Sequence, residues 1–299
     1  MHVFENILVP VDFSQITDAV IKSAEFIAKN FDSTVHLLFV VEHLSPLVYV
    51  KNLEIFFEPD EEEILQLAEE KLKEEALENL KMYQKKLEEK GIKTKILIET
   101  GDIVDTILDF SEENNIDLII IGSHKKGLVN KLILGTVSEK IISKASKSVL
   151  VIKGTPLSQI NKILCGYDFL PNSKEALEIA KQLAKKFNAI IRIIHGDADE
   201  PFAHFKGIYK KVLERKKIIL NQIQKQMEKE NIVMDYEILR EPPYEAIIDE
   251  IHIYQPDIVI LGKRKTSVVK RLFIGTTASK VVKEANIPVI IVRRNYNEN

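Results

Sequence analysis

The sequence of 299 residues has one cysteine, no tryptophan, 11 glycines and a net charge of only −3. One cysteine excludes a disulfide framework and a cysteine-based zinc site, and it is typical of a reducing cytosol. The small net charge argues against a protein that coats nucleic acid. No apolar run approaches the ~18 residues of a membrane-spanning helix, and the opening Met1–Asn6 lacks the basic segment of a secretory signal. We therefore expect a cytoplasmic protein that binds neither membranes nor nucleic acid.

The sequence contains two copies of the same motifs in the same order. The matching segments are Asn6–Ser14 and Lys162–Leu170, Asp117–Lys125 and Asp257–Lys265, Lys131–Thr136 and Arg271–Thr276, and Ser148–Ile152 and Pro288–Val292. Internal duplication of this kind predicts two copies of one domain. We place the first repeat at residues 1–154 and the second at 159–299, with a linker around Gly154–Ser158. The second copy is shorter, and we assign the difference to an extra loop in the first, His43–Pro59.

Apolar runs alternate with amphipathic stretches in each repeat. In the first repeat the pattern predicts strands at about 6–12, 34–41, 93–99, 117–122 and 148–153, and helices at about 17–30, 60–90, 102–114 and 136–146. Steps of three and four predict one buried stripe on the long helix, formed by Leu65, Ala68, Leu72, Ala76, Leu80, Tyr83 and Leu87. Fully apolar strands between helices predict an α/β fold, with a doubly wound, five-stranded parallel sheet of strand order 3-2-1-4-5 in each repeat.

Ligands of such sheets bind beyond the carboxyl ends of the strands, where the strand order reverses. The first strand delivers Asp12 there, and the fourth delivers Gly122-Ser123-His124-Lys125. The next helix begins after Gly135, and a glycine followed by a hydroxyl residue at a helix N-terminus suits phosphate. An ordinary turn with a helix cap is the alternative for both Asp12 and Gly135. Gly275-Thr276 follows Gly262 at the same spacing, although duplication alone would also preserve a structural turn.

These motifs together resemble a tandem universal stress protein over nearly the whole chain. The resemblance rests on Ile7–Ser14, on Gly122 with Gly135–Ile141, and on Ser148–Ile152. It implies a nucleotide-binding domain whose ligand is ATP or AMP, with or without Mg²⁺. In the ATP-binding branch of the family, a first-strand aspartate and a second-strand backbone position hold the adenine and ribose, and Asp12 and Val40 occupy those positions here.

The sequence departs from the phosphate loop of that branch, which has glycine, two residues, glycine, nine residues, and then glycine with serine or threonine. Lys125 and Lys265 replace the middle glycine in the two copies. A lysine there costs on the order of 1 kcal/mol if the backbone must be left-handed. It would alternatively contact phosphate through its ammonium group, or lie in a surface loop without a ligand role. In the first copy Gly127 is a candidate to replace the missing glycine in the turn.

We predict that the first repeat is the better nucleotide site, because Ala278 in the second stands where the first has the hydroxyl of Ser138. The predicted binding residues of the first repeat are Pro10, Val11, Asp12, Val40, Gly122, Ser123, His124, Lys125, Gly135, Thr136, Val137 and Ser138. Those of the second repeat are Asp168, Gly262, Lys263, Arg264, Gly275, Thr276 and Thr277. In the second, the basic residues Lys263, Arg264 and Lys265 are expected to attract an anion.

Three further features of the sequence allow more than one interpretation. His195, Asp197, Asp199 and His204 form either a metal site or, by preference, a mobile acidic loop. The apolar segment Leu44–Phe57 is a lid, a contact surface or a local core. Cys165 lies in an apolar strand and is interpreted as a buried small side chain.

The leading hypothesis is a nucleotide-binding regulatory protein of the stress response that acts on an unidentified protein partner. The sequence shows neither a nucleophile–base arrangement nor a Walker loop, so we predict no catalytic residues and no resident metal. A ligand-free scaffold and a slow ATPase are the alternatives. The resemblance also implies that the last strands of the two repeats, Val149–Ile152 and Val289–Val292, pair within one molecule to form a pseudo-dimer, and homodimerisation stays open.

Overall fold

A computed structural model describes residues 4–42, 61–125, 132–198, 206–263 and 276–293. It divides into two compact units, residues 2–120 and residues 121–299. The extra loop His43–Pro59, including the apolar segment Leu44–Phe57, lies outside the described residues. In the described part of the chain, no helix has both the length and the apolar character needed to cross a bilayer.

The elements follow the alternation that the sequence predicts. In the first repeat they are β1 (Asn6–Pro10), α1 (Thr17–Phe31), β2 (Thr34–Val41), α2 (Glu61–Glu88), β3 (Thr94–Thr100), α3 (Ile103–Glu113), β4 (Leu118–Gly122), β5 (His124–Lys125), β6 (Leu132–Ile133), α4 (Thr136–Lys144) and β7 (Ser148–Ile152). In the second they are β8 (Lys162–Gly166), α5 (Pro171–Phe187), β9 (Ile190–Gly196), α6 (Lys206–Lys229), β10 (Met234–Leu239), α7 (Pro243–Tyr254), β11 (Ile258–Gly262), α8 (Thr276–Glu284) and β12 (Val289–Val292). The prediction of an α/β fold in two copies is confirmed.

Parallel pairing joins the strands within each repeat. In residues 2–120, β1 lies between β2 and β4, and β3 pairs with the far side of β2. In residues 121–299, β8 lies between β9 and β11, and β10 pairs with β9. The strand order of each repeat is third, second, first, fourth, fifth, as predicted. The central strands are buried because both of their faces carry apolar side chains, as in Ile7, Leu8 and Val9.

The long helix α2 is buried over only part of its length. Ala76, Leu80 and Leu87 are buried, as the stripe predicts, but Leu72 is 41% exposed. The reason is geometric: 28 helical residues extend about 42 Å, whereas the eight-residue strand β2 extends only about 27 Å. The amino-terminal turns of α2 therefore carry apolar residues that the sheet does not cover.

The last strands of the two repeats, β7 and β12, pair antiparallel inside the unit of residues 121–299. Leu150 lies opposite Ile290, and Val149 lies opposite Ile291. Since an unpaired apolar strand edge invites aggregation, this pairing protects both edges. It confirms the expectation of an intramolecular pseudo-dimer at these strands.

Cationic side chains reinforce the same region by binding the carboxyl ends of helices from the other repeat. Lys153, which follows β7, donates to the carbonyl of Val282 in α8. Arg293, which follows β12, donates to the carbonyl of Ala145, just after α4. Carbonyls at a helix C-terminus lack partners within the helix and carry partial negative charge, which cations stabilise. These contacts explain why residues 121–153 group with the second repeat in the compact unit.

Candidate functional site

Asp12 lies just beyond β1 and is oriented by the turn that leads into α1. Its Oδ1 atom accepts hydrogen bonds from the Ser14 amide at 3.0 Å, the Ser14 hydroxyl at 2.6 Å and the Thr17 hydroxyl at 3.2 Å. The Asp12 side chain is nonetheless exposed. Asp12 thus forms a turn, which is the alternative that the sequence allowed for it. It also presents an oriented carboxylate at the carboxyl end of the sheet.

The neighbouring strand end is mainly apolar. β1 ends at Pro10, and the amide of the buried Val11 donates to the Leu38 carbonyl at 2.9 Å. Phe13 has a left-handed backbone with a φ of 54° and stacks on Phe39 with the ring centroids 5.1 Å apart. Val40, next in β2, is half-buried. Because β1 and β2 are adjacent and parallel, Asp12 and Val40 lie at the same edge of the sheet.

In residues 121–299, the end of β4 and the start of α4 are joined by a side chain. The Ser138 hydroxyl donates to the Gly122 carbonyl at 3.0 Å, and the buried Ser123 donates its amide to Ile152 at 3.0 Å. Gly135 precedes α4 in an extended conformation, and no side chain of the described residues caps this helix. A Cβ atom added to Gly135 would meet nothing within 4 Å. A side chain at Gly135 would therefore extend into open space next to the start of α4.

The structure also bears on the lysine that replaces the motif glycine. His124 and Lys125 pair antiparallel with Ile133 and Leu132 in the short β5–β6 ladder, and Lys125 has no left-handed backbone. The backbone cost expected for a lysine at this position therefore does not arise. The side chains of His124 and Lys125 lie outside the described residues, as do Gly127 and Lys265. Thr136 is exposed and Val137 is half-buried.

The second repeat differs at the corresponding positions. Asp168 accepts a hydrogen bond from the Leu170 amide at 3.0 Å. Lys263, expected to attract an anion, is only 4% exposed, and its ammonium group instead donates to the carbonyls of Ile142, at 2.8 Å, and Ser143 at the end of α4. This burial lowers the pKa of Lys263 to about 7, with a smaller contribution from the nearby Arg293. Its side chain is thus engaged at a helix C-terminus.

The remaining predicted residues of the second repeat are only partly described. Arg264 and Gly275 lie outside the described residues, and so does the side chain of Thr276. Thr277 is half-buried in the first turn of α8. Nothing in the described structure therefore brings these residues together with Asp168.

A buried network near the ends of β8 and β9 was not predicted. His195 Nδ1 lies 2.8 Å from the Tyr167 carbonyl, and Lys216 of α6 lies 3.0 Å from His195 Nε2 and 2.5 Å from Asp197 Oδ1. Burial and the Lys216 ammonium lower the pKa of His195. Neutral His195 then donates from Nδ1 to Tyr167 and accepts at Nε2 from Lys216.

Asp197 completes the ion pair of this network. Burial by itself raises the pKa of its carboxyl, but hydrogen bonds from Lys216 and Tyr209 outweigh burial, so the pKa of Asp197 is lowered. The residue is only 2% exposed, and the interpretation of a mobile acidic loop is wrong at this position. Asp199 and His204, the other members of that predicted cluster, lie outside the described residues. The sequence did not indicate that Lys216 is buried, because its neighbours on α6, Arg215 and Lys217, are also charged.

Cys165 fulfils its prediction as a buried side chain in β8. It is fully buried, and burial raises the pKa of its thiol to about 12. A thiol held protonated in this way is neither a nucleophile nor a metal ligand at neutral pH.

One protein-family model matches the chain twice, once in each repeat. The model of the universal stress protein family matches residues 4–153 and again residues 159–293. The chain belongs to the universal stress protein family. The two matches account for nearly all of its length and agree with the tandem arrangement predicted from the repeated motifs.

Individual relatives are matched over one half of the chain. Universal stress protein MJ0531 of Methanocaldococcus jannaschii is 34% identical over 152 residues, which are 51% of this chain and 84% of the relative. Universal stress protein MJ0577 of the same organism is 32% identical over 158 residues, which are 50% of this chain and 95% of the relative. Both relatives are thus similar in length to one repeat.

A solved structure matches the whole tandem chain. It is a universal stress protein from Archaeoglobus fulgidus, which is 23% identical and superposes with a TM-score of 0.74 over 97% of this chain and 99% of its own. At this identity the likeness shows the fold alone. The fold of this chain is therefore similar to that of a solved structure over both repeats.

Proposed function

We propose that this universal stress protein binds an adenine nucleotide, ATP or AMP, at its first repeat, as a regulatory ligand in the stress response. The observation that carries the proposal is the start of α4. Gly135 lies at an uncapped helix N-terminus beside open space, and Thr136 is exposed there. Free amide groups and the positive end of the helix dipole favour an anionic phosphate.

Asp12 and Val40 are the residues that we assign to the nucleoside. The Asp12 carboxylate is exposed and is oriented by the turn into α1, which suits it to accept hydrogen bonds from ribose hydroxyl groups. Val40 is half-buried, and Phe39 and Phe13 beside it provide apolar surface of the kind that a flat base contacts. These features match the roles that the family resemblance implies for the two positions.

The protein groups in this assignment bind and orient the nucleotide, and we assign none of them to catalysis. Phosphoryl transfer needs a positioned nucleophile and groups that stabilise the developing charge. The assigned residues supply an amide-rich helix start and a carboxylate already engaged in a turn. A regulatory ligand that stabilises the tandem chain and alters its binding to a partner protein accounts for these features.

Thermal unfolding of the full chain tests the proposal. A ligand at about one hundred times its dissociation constant stabilises the folded state by about 2.7 kcal/mol, which corresponds to a rise in Tm of about 5 °C for a protein of this size. We expect ATP or AMP, with Mg²⁺, to produce such a rise. Asp12→Ala and Gly135→Val are expected to remove it.

Gly135→Val is the sharper variant, because its backbone is extended and the added Cβ meets no protein atom. The variant should therefore fold like the wild type, and a lost response would report exclusion of the phosphate. Asp168→Ala serves as the matched control in the second repeat, since Asp168 caps the corresponding turn. Absence of any shift with millimolar nucleotide would refute the proposal.

A further inference from the structure

Two helices of the chain carry opposite charges at the same spacing on their surfaces. On α2 the residues are Leu67, Glu70, Glu74 and Leu77, and on α6 they are Ile208, Lys211, Arg215 and Ile218. Steps of three, four and three residues place each set in one stripe along its helix, about 15 Å long. Each stripe therefore has an apolar residue at either end and two like charges between them.

Both stripes lie on the solvent side of their helices. In the α2 stripe, Leu67 is 67% exposed and Leu77 is 37% exposed. In the α6 stripe, Ile208 is 48% exposed and Ile218 is 55% exposed. The four charged side chains are exposed too, and within the described residues none of them has an ion-pair partner. The two stripes are therefore accessible to another molecule.

The matching spacing is not a remnant of the duplication. Gln84 of α2 and Gln224 of α6 occupy equivalent positions, because each donates to a carbonyl at the start of the third strand, at 3.0 and 2.8 Å. Counting back from them places Glu70 opposite Lys210. The charged stripe of α6 passes through Lys211 instead. The two stripes thus lie on different sides of equivalent helices, and common ancestry does not explain why their patterns agree.

The charges decide which stripes can pair. Two α2 stripes would bring Glu70 and Glu74 against like charges, and two α6 stripes would do the same with Lys211 and Arg215. An α2 stripe against an α6 stripe instead places two acids opposite two bases. Because the spacing is the same in both directions along the helix, the apolar ends also meet. Helices that pack side by side make contact through such residues, three and four apart.

We infer that the α2 stripe of one chain binds the α6 stripe of a second copy of this chain. The second copy is the partner that the charges favour, because every chain carries both complementary stripes in equal amount. An exposed ion pair contributes little by itself and is screened by salt, so the association is weak and salt-sensitive. It is separate from the pairing of β7 with β12, which joins two strands of one chain.

Sedimentation equilibrium of the full chain without nucleotide measures this association. We expect a dissociation constant in the micromolar range at low salt. It should rise at least ~10-fold between about 0.05 M and about 0.5 M NaCl, because the Debye length falls from roughly 14 Å to roughly 4 Å. A chain that stays monomeric throughout the micromolar range at low salt would overturn the inference, and so would an association that salt does not weaken.

Charge reversal identifies the surfaces that meet. Glu70→Lys/Glu74→Lys makes the α2 stripe basic, and Lys211→Glu/Arg215→Glu makes the α6 stripe acidic. Each variant alone should associate at least ~10-fold more weakly than the wild type, whereas an equimolar mixture should regain the wild-type affinity. Recovery is expected because each reversed stripe then meets its complement, and it also shows that both variants fold. A mixture that associates no more tightly than its components would place the contact elsewhere and overturn the inference.

Glu75→Lys/Glu89→Lys is the matched control. Both glutamates are exposed and lie outside the α2 stripe, and the double variant changes the net charge by the same amount as Glu70→Lys/Glu74→Lys. We expect it to associate like the wild type. An equal loss of association in this control would show that net charge alone decides the result, and the stripes would then have no part in it.

Discussion

Replacing Lys263 with methionine removes a charged group from the contact between β11 and the end of α4 while keeping a side chain of similar length. In the wild type, burial and then the Arg293 guanidinium lower the pKa of Lys263 from 10.5 to about 7. The unfolded chain holds this proton up to a pH near 10.5, whereas the folded chain releases it near pH 7. Between these values the unfolded state binds more protons, so the free energy of unfolding rises with pH.

The size of the effect follows from the two pKa values. This contribution of Lys263 to the free energy of unfolding is complete above the pKa of the unfolded state. It is lost as the pH falls towards the pKa of the folded state. From about pH 7 to about pH 9 it amounts to about 2 kcal/mol. Lys153 is buried in a similar contact with α8, with its pKa lowered to about 8, but it contributes equally to wild type and variant. The difference between the two proteins therefore isolates Lys263.

Urea unfolding followed by circular dichroism at these two pH values measures the difference. On going from about pH 7 to about pH 9, we expect the free energy of unfolding of the wild type to rise by about 2 kcal/mol more than that of Lys263→Met. Lys140→Met, on the exposed face of the same helix α4, is the matched control and should follow the wild type. If Lys263→Met keeps the full wild-type rise, the lysine is not a buried titrating group and the reasoning is refuted.

Two further predictions concern the strand pair and the buried network. The double variant Leu150→Cys/Ile290→Cys should form an intramolecular disulfide on mild oxidation, because directly opposite antiparallel residues have Cβ atoms about 5 Å apart. Non-reducing gels measure this as a change in mobility, and an unchanged mobility would contradict the pairing. Lys216→Ala should destabilise the chain by about 3–5 kcal/mol, because it leaves Asp197 buried without its cation, and adding Asp197→Val should restore most of the loss. Urea unfolding measures both, and an additive double variant would argue against the ion pair.

Periodicity alone predicted the elements of the first repeat closely. Strand β2 spans the predicted residues 34–41, and α3 begins and ends within one residue of its predicted bounds. Local signals explain this accuracy: the Asp102 side chain caps α3 by accepting from Val104 and Asp105. The strand order followed from the alternation of apolar strands and helices, because few topologies satisfy parallel pairing with short connections.

The burial of individual lysines could not be predicted in the same way. Lys216 stands among Arg215 and Lys217 in the sequence, where a charged run indicates a solvated face, and its partners are distant in the chain. Lys263 follows a strand-ending glycine in a basic stretch, and only the pairing of β12 with β7 brings it to the end of α4. Such contacts depend on long-range packing, which a pattern of local periodicity does not contain.

The pairing of β7 with β12 has a consequence for how the two repeats are held together. When two copies of a domain associate as separate chains, the complex dissociates on dilution and each copy also meets others of its own kind. A covalent connection makes the association intramolecular, with an effective concentration set by the linker rather than by the amount of protein. The strands Ser148–Ile152 and Val289–Val292 thus meet as a fixed one-to-one pair at any dilution. Under that constraint the sequence of one half can change without the molecule losing its partner half.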